Sequence, residues 1–272
     1  MTSTNASKPQ SPRVETLAVV THGRVDVEAA VERVHAVAER AGVKLVDEPR
    51  DADLVVALGG DGTILRTLGK LLGTDVPVIG VNYGRVGFLA SIRPEDLERD
   101  LERVFAGGYA VVELPTIEVR LDGETHTAVN DVVVTSSTLG RMVELAWAIG
   151  GEDLGTVPCD GMICSTPSGS TAYNLSNGGP VLVRGLDAMA VTFIAPHSLH
   201  ARPLVVPRGA EVTVRNATAD VAAAVLVDGH RAGDVPPGEE VAIHLSGGRS
   251  LLGTLPETTF FGRYRDTFTS HP

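Results

Sequence analysis

Between Glu15 and about Leu114 the chain switches back and forth between two hydrophobic periods. Leu17–His22 (LAVVTH) is a short apolar run. The segment VEAAVERVHAVAERAG then sets Val27, Ala30, Val31, Val34, Val37 and Ala38 at helical spacing, with Gly42 as its stop signal. KLVDE and DLVVALGG (53–60) read as strands, and TILRTLGKLLG resumes the helical period through Ile64, Leu65, Leu68, Leu71 and Leu72. VPVIGV (Val76–Val81) is a further strand, and PEDLERDLERVFAGG a helix whose acidic first turn suits its dipole. Strands alternating with helices of this length predict right-handed crossovers and a parallel, Rossmann-like sheet.

After Pro115 the texture changes. TIEVRLDGETHTAVNDVVVTSS reads as a hairpin around Asp122-Gly123. MVELAWAIGGEDLG, DGMICSTPSG, AMAVTFIAP, RPLVVP, EVTVRNA, AAAVLVDGHRAG and EVAIHLSGG continue as short strands between turn residues. One helix, starting near Ser170, interrupts the series. The pattern predicts an α/β domain over residues 14–114, a β-rich domain over 115–254 and a C-terminal tail over 255–272.

Composition narrows the function classes. With 272 residues, 43% hydrophobic and 21% charged, the chain can bury the cores of about two domains, and 4% aromatic content makes those cores aliphatic. The net charge of −11 leaves no basic footprint for a nucleic acid polymer or an anionic membrane. A phosphate ligand must therefore be held by backbone amides, a metal ion or a few placed cations. Cys159 and Cys164 are too few for a disulfide framework or a zinc site and suggest a reducing compartment. MTSTNASKPQSPR is polar, with no apolar stretch behind it, so it reads as a loose leader and not a signal peptide. With no run near ~18 apolar residues, the expectation is a soluble, cytoplasmic protein.

Three stretches carry candidate chemistry. In LVVALGGDGTILRTL a buried strand ends in Gly59-Gly60-Asp61-Gly62 and a helix follows at once. Ligands of open α/β sheets sit at such strand ends, and glycines let amides approach a phosphate. A carboxylate there repels phosphate, so Asp61 either takes a proton from a hydroxyl, helps to hold magnesium, or caps the helix. The second stretch is DGMICSTPSGSTAYNLS. Ser165, Thr166, Ser168, Ser170 and Thr171 crowd around Pro167 and Gly169, offering hydroxyls to phosphate or sugar, or forming a turn that caps the next helix. Tyr173 lies either against a ligand ring or in the core. The third is Asn130-Asp131 within TAVNDVVV. Both types are poor strand formers, and left unpaired they cost ~1–3 kcal/mol per buried group, so a ligand hydroxyl or a bulge must satisfy them. His197 and His200 lack a third metal ligand, and Asp228-Gly229 is first a hairpin turn signal.

GGDGT (Gly59–Thr63), NYGRVGFL (Asn82–Leu89), Asn130-Asp131, DGMICSTPSGSTAYNLSNGGP and PHSLHARPLVVP, in that order, resemble the NAD kinase family. Lipid kinases share GGDGT but carry a Gly-Thr-x-Asn-Asp type loop where this chain has Asn82-Tyr83-Gly84-Arg85. The resemblance implies an ATP-dependent enzyme that phosphorylates the 2′-hydroxyl of the adenosine ribose of NAD. It also implies Mg²⁺ carried by the nucleotide, ATP or polyphosphate as donor, a homodimer or homotetramer, and a tail that returns to the first domain. NAD is expected in the cleft between the domains. Asp61 looks like the proton acceptor, and Gly59, Gly60, Gly62 and Thr63 form the phosphate-donor loop. Gly62 and Arg66 also line the NAD site. Asn130 and Asp131 grip the ribose and adenine, Arg141 matches a cationic position, and Asp160 an aspartate near the nicotinamide. Thr171, Ala172, Tyr173 and Ser176 line the dinucleotide. Pro158 stands where many members have a basic residue. His230, counted with the NAD contacts, replaces the usual glutamine after Asp-Gly. The rival readings are a lipid kinase of the diacylglycerol type and a non-catalytic NAD(H) sensor; an unbroken GGDGT speaks against the sensor.

Overall fold

The computed structural model describes residues 11–21, 27–84 and 87–269. The chain divides into two compact units, Met1–Glu113 together with Ser250–Pro272, and Leu114–Arg249. The leader MTSTNASKPQ, and Arg85 and Val86 of the NYGRVGFL segment, lie outside the described residues.

The first unit runs β1 (Thr16–Thr21), α1 (Glu28–Ala41), β2 (Lys44–Leu45), β3 (Leu54–Gly59), α2 (Asp61–Lys70), β4 (Val78–Asn82) and α3 (Leu97–Phe105). The strands stand in the order β2-β1-β3-β4 and all pair in parallel. Every residue of β3 is buried, as a central parallel strand covered on both faces must be. Leu54, Val56 and Leu58 meet Val34 and Val37 of α1 and Leu101 and Val104 of α3 in one core. On the opposite face Gly80 of β4 makes room for Ile64 of α2, whose Cγ1 would lie 2.8 Å from an added Cβ. α1 ends on Gly42 at φ 69°, a left-handed cap that glycine adopts without strain. A short 3-10 turn at Pro94–Asp96 precedes α3, where sequence periodicity alone predicts one continuous helix.

The second unit is built from strands. β5 (Ala110–Leu121) and β6 (Glu124–Ala128) form the hairpin around Asp122 and Gly123, whose φ of 51° and 81° are those of a two-residue hairpin turn. β7 (Asp131–Ser136), β8 (Val143–Ile149), β9 (Glu152–Cys159), β10 (Gly161–Ser165) and the one-turn α4 (Tyr173–Ser176) follow. β11 (Ala188–Ile194), β12 (Leu204–Pro207), β13 (Val212–Asn216), β14 (Ala223–Val227), β15 (His230–Val235) and β16 (Glu240–Thr254) complete the strands. One antiparallel sheet runs β12-β11-β10-β7-β14-β15. The other sets β13 between β16 and β8, with β9 beyond β8. Their inner faces share an aliphatic core in which Trp147 meets Phe193 edge-on at 5.3 Å. The last residues of β16 belong to the first unit, where Leu252 and Gly253 pair with Val78 and Ile79, and α5 (Phe260–Phe268) follows them.

Asn216 fixes the end of β13. It is buried, its Nδ2 donates to the carbonyls of Val221 and Val235 at 2.9 Å each, and its Oδ1 accepts the N–H of Thr218 at 3.1 Å. Replacing it with alanine strands these groups in the core. Asn216→Ala should therefore cost roughly 2–4 kcal/mol in urea unfolding. A loss below about 0.5 kcal/mol would mean that water satisfies them instead.

Candidate functional site

In the first unit the glycine-rich loop closes on the loop after β4. Gly59 of β3 pairs with Asn82 of β4, and the N–H of Tyr83 donates to the Gly59 carbonyl at 3.0 Å. The strands carry both loops to one carboxyl edge, where ligands of such sheets bind. Gly60 and Gly84 touch so closely that a Cβ on Gly84 would lie 2.9 Å from the Gly60 Cα. Gly60 caps α2 and Asp61 is its first residue, so free amides and the positive end of the dipole face this edge.

Asp61 does not cap its own helix. Its Oδ2 accepts the N–H of Phe88 at 2.6 Å and its Oδ1 the N–H of Leu89 at 3.1 Å. Gly87 permits the approach, since any Cβ there would collide with the Asp61 carboxylate. Nothing in the sequence pairs Asp61 with residues 88 and 89. The only hint is a second glycine loop after the next strand. A carboxylate has about four acceptor sites, so two amides leave room for a hydroxyl proton. Thr63 is buried beneath the loop against Gly59, while Gly62 and Arg66 are exposed on the first turns of α2. A cavity of about 690 Å³ in the same unit is bordered by Asn82, Gly87, Ser91 and Arg263.

In the second unit the other two stretches come together. Asn130 lies in a bend just before β7, not inside a strand, and Asp131 opens β7. The Thr166 N–H donates to the Asn130 carbonyl at 2.8 Å, and its hydroxyl donates to the Val129 carbonyl at 2.7 Å. Gly169 packs on Asn130, whose Cα would sit 2.8 Å from an added Cβ. Asp228 accepts the N–H groups of Val129, Asn130 and Asp131 at 2.8, 2.7 and 3.2 Å. Asn130 Oδ1 is buried without a hydrogen-bond partner, an acceptor ready for a ligand. Burial, and then the charge of Asp228, push the Asp131 carboxyl up to about 7. Burial also raises Asp228, against the pull of its amide donors.

The hydroxyl loop divides its work. Thr166 and Ser170 serve the fold: the Ser170 hydroxyl donates to the Pro167 carbonyl at 2.7 Å and accepts the Leu182 N–H at 2.9 Å. Ser168 Oγ is buried with no partner. Thr171 donates to the Ser168 carbonyl at 3.3 Å. Tyr173 is 46% exposed, outside the core, with Ala172 and Ser176 exposed beside it. Asp160 is exposed between β9 and β10, and Arg141 pairs with Asp220 at 2.9 Å. Pro158 lies in β9, its carbonyl accepting the His197 N–H at 2.8 Å. His230 is exposed, its Nδ1 3.0 Å from the Asp228 carbonyl. The thiols of Cys159 and Cys164 are pushed up to about 12 by burial, which leaves them unreactive.

A lone carboxylate among amides that face outward from a helix start suits deprotonation of a hydroxyl beside a phosphate, which is the chemistry of a kinase. Comparison with known proteins narrows the class. The family described as ATP-NAD kinase N-terminal domain matches residues 14–109, and that described as ATP-NAD kinase C-terminal domain matches 129–251. The NAD kinase of Heliobacterium modesticaldum is 38% identical over 269 residues, 96% of this chain and 95% of its own. That of Nitratidesulfovibrio vulgaris is 37% identical, covering 92% and 94%. An NAD kinase from Archaeoglobus fulgidus, solved in complex with ATP, superposes with a TM-score of 0.78 at 29% identity, over 93% of this chain and 97% of that one. Yeast NADH kinase complexed with NADH shares the fold, with a TM-score of 0.83 at 22% identity over 96% and 89%. The chain belongs to the NAD kinase family.

The elevated Asp131 carboxyl has a consequence for stability. The folded protein binds this proton up to about pH 7, whereas an unfolded aspartate releases it near ~3.9. The contribution is full below the unfolded value and is lost as pH rises through about 7. A difference of ~3 units bounds the loss at about 4 kcal/mol. Without ligand, wild type should melt lower at pH 8 than at pH 5, and Asp131→Asn should narrow that gap. An equal gap in the two proteins would mean that Asp131 titrates as an ordinary carboxyl.

Proposed function

We propose that this chain is an NAD kinase that transfers the γ-phosphoryl of ATP to the 2′-hydroxyl of the adenosine ribose of NAD, giving NADP. The observation that carries the reading is the Asp61 carboxylate, fixed by two backbone amides at the N-terminus of α2. The ribose hydroxyl gives its proton to Asp61 as its oxygen bonds to the γ-phosphorus. The bond from that phosphorus to the bridging oxygen breaks, and ADP leaves with the electron pair. Phosphoryl transfer asks mainly for positioning and charge neutralisation, with one carboxylate to orient the nucleophile.

Gly59, Gly60, Gly62 and Thr63 form the loop for the donor phosphates, which face the amides at the start of α2 and its dipole. The buried Thr63 gives its own N–H to the Gly60 carbonyl and supports the loop from beneath. Asn130 and Asp131 read the ribose: the free Asn130 Oδ1 accepts a hydroxyl proton, and Asp131 donates when protonated. Arg66, Arg141, Asp160, Thr171, Ala172, Tyr173, Ser176 and His230 supply the remaining dinucleotide contacts, with the Tyr173 ring offering a stacking face.

Among the described residues no three His, Cys, Asp or Glu side chains gather into a metal cage. The reading of Mg²⁺ carried on the triphosphate rests instead on Asp61, a carboxylate at the amide-lined start of α2 that would stand beside the donor phosphates. When bound, Mg²⁺ neutralises charge on the donor phosphates. Inorganic polyphosphate is included as a donor, since backbone amides recognise phosphate oxygens without reading adenine. Exposed Leu199 and Val205 support a homodimer or homotetramer, and the free cysteines support a cytoplasmic setting.

Two measurements test the reading. Excess chelator should abolish NADP formation from NAD and ATP; robust product without metal would overturn the Mg²⁺ assignment. Asp61→Asn keeps one oxygen for the loop amides but cannot take the proton. Turnover should fall by ~10²–10⁴, while calorimetric NAD binding stays close to wild type. A variant that binds normally and keeps more than about a third of turnover would remove Asp61 from the general-base role.

A further inference from the structure

Asp228 meets the requirement of a turn residue and does something more. It stands between β14 and β15 at φ 47°, followed by Gly229 at φ 78°, the pair of left-handed residues that a two-residue hairpin needs. Aspartate tolerates that conformation, but so would asparagine or glycine. The turn therefore explains the backbone and leaves the carboxylate unexplained.

That carboxylate reaches a segment nearly a hundred positions earlier in the chain. Its two oxygens receive the N–H groups of the consecutive residues Val129, Asn130 and Asp131. Successive amides converging on one point form a nest, a concavity that ordinarily takes an external anion. Here it is filled by the protein's own charge. The carbonyls of the same residues are also taken. Thr166 serves those of Val129 and Asn130, and the Asp228 N–H donates to that of Asp131 at 3.0 Å. Every backbone polar group of residues 129–131 thus has a partner. The Asn130 side chain does not, since its Oδ1 is buried and unpartnered.

We propose that Asp228 is a positioning residue for dinucleotide recognition: by filling the nest it fixes the backbone of residues 129–131, so that Asn130 and Asp131 present their side chains to the ribose of NAD. The inference rests on the NAD kinase reading for its ligand. The sequence carried only the turn signal, because the nest is assembled from a bend and a hairpin far apart in the chain.

The test uses Asp228→Gly, which keeps the left-handed turn and removes the carboxylate, beside Asp228→Asn, which keeps one oxygen. NAD binding is measured by calorimetry, KM for NAD and ATP by steady-state kinetics, and amide exchange in the peptide covering residues 129–133 by mass spectrometry. In Asp228→Gly the Kd and KM for NAD should rise about tenfold or more, with the ATP KM within about twofold. Exchange at residues 129–131 should speed up, with Asp228→Asn intermediate in each readout. A purely structural role would lower the active fraction, reducing apparent kcat while leaving both KM values in place. That pattern overturns the inference, as do an unchanged NAD Kd, unchanged exchange, or equal rises in both KM values. If wild type binds NAD but forms no NADP, the functional reading fails, and the NAD Kd of the variants still decides this inference.

Discussion

Much of this structure depends on one interaction, a carboxylate held by backbone N–H groups in place of a cation. Asp61 accepts two such bonds from residues 88 and 89, and Asp228 accepts three from residues 129–131. Asp53 repeats the device at the start of β1, accepting the N–H groups of Glu15 and Thr16 at 2.9 and 2.8 Å. Partial burial works against Asp53, but the amides of Thr16 and Glu15 and the Thr16 hydroxyl hold its carboxyl below the usual range. Amides are an economical counter-charge in an acidic chain, since they bring no side-chain entropy and are fixed by the fold itself. Each bond also locks a loop that would otherwise have unsatisfied donors.

The same logic sets where glycine is obligatory. Gly87 is required because the Asp61 carboxylate occupies the volume of a side chain there. Gly84 is required because the two glycine loops meet backbone to backbone. At Gly87 the missing Cβ brings the amides of Phe88 and Leu89 within reach of the carboxylate, and at Gly84 it lets the two loops close on each other. A chain of net charge −11 can therefore bind anions locally without a basic surface.

What could be read from the sequence follows from range. Periodicity located α1, its Gly42 stop, the buried β3 and the start of α2 at the GGDGT loop, because each is encoded within a few residues. It placed Asn130 inside a strand, whereas the chain bends there, since the bend is set by Asp228 and Thr166 from distant segments. Hydroxyl-rich composition could not show that Thr166 and Ser170 are spent on the fold while Ser168 is left over. Motifs point to the right neighbourhood; only tertiary contacts show which atoms remain available.

The end of the chain makes the same point about Asp61. The Phe88 ring packs against Phe260 and Phe268 at centroid distances of 6.1 and 5.8 Å. Arg263 donates to the carbonyl of Gly87 at 3.0 Å and also to that of Ala90. α5 thus grips, from the carbonyl and ring side, the short loop whose amides hold Asp61 on the other. A guanidinium suits this task because its fork serves two diverging acceptors at once, which an ammonium on a single tip does less well. The orientation of the candidate base is therefore set by residues from two stretches of sequence distant from its own. The aspartate is local and legible, and the geometry that makes it useful is not.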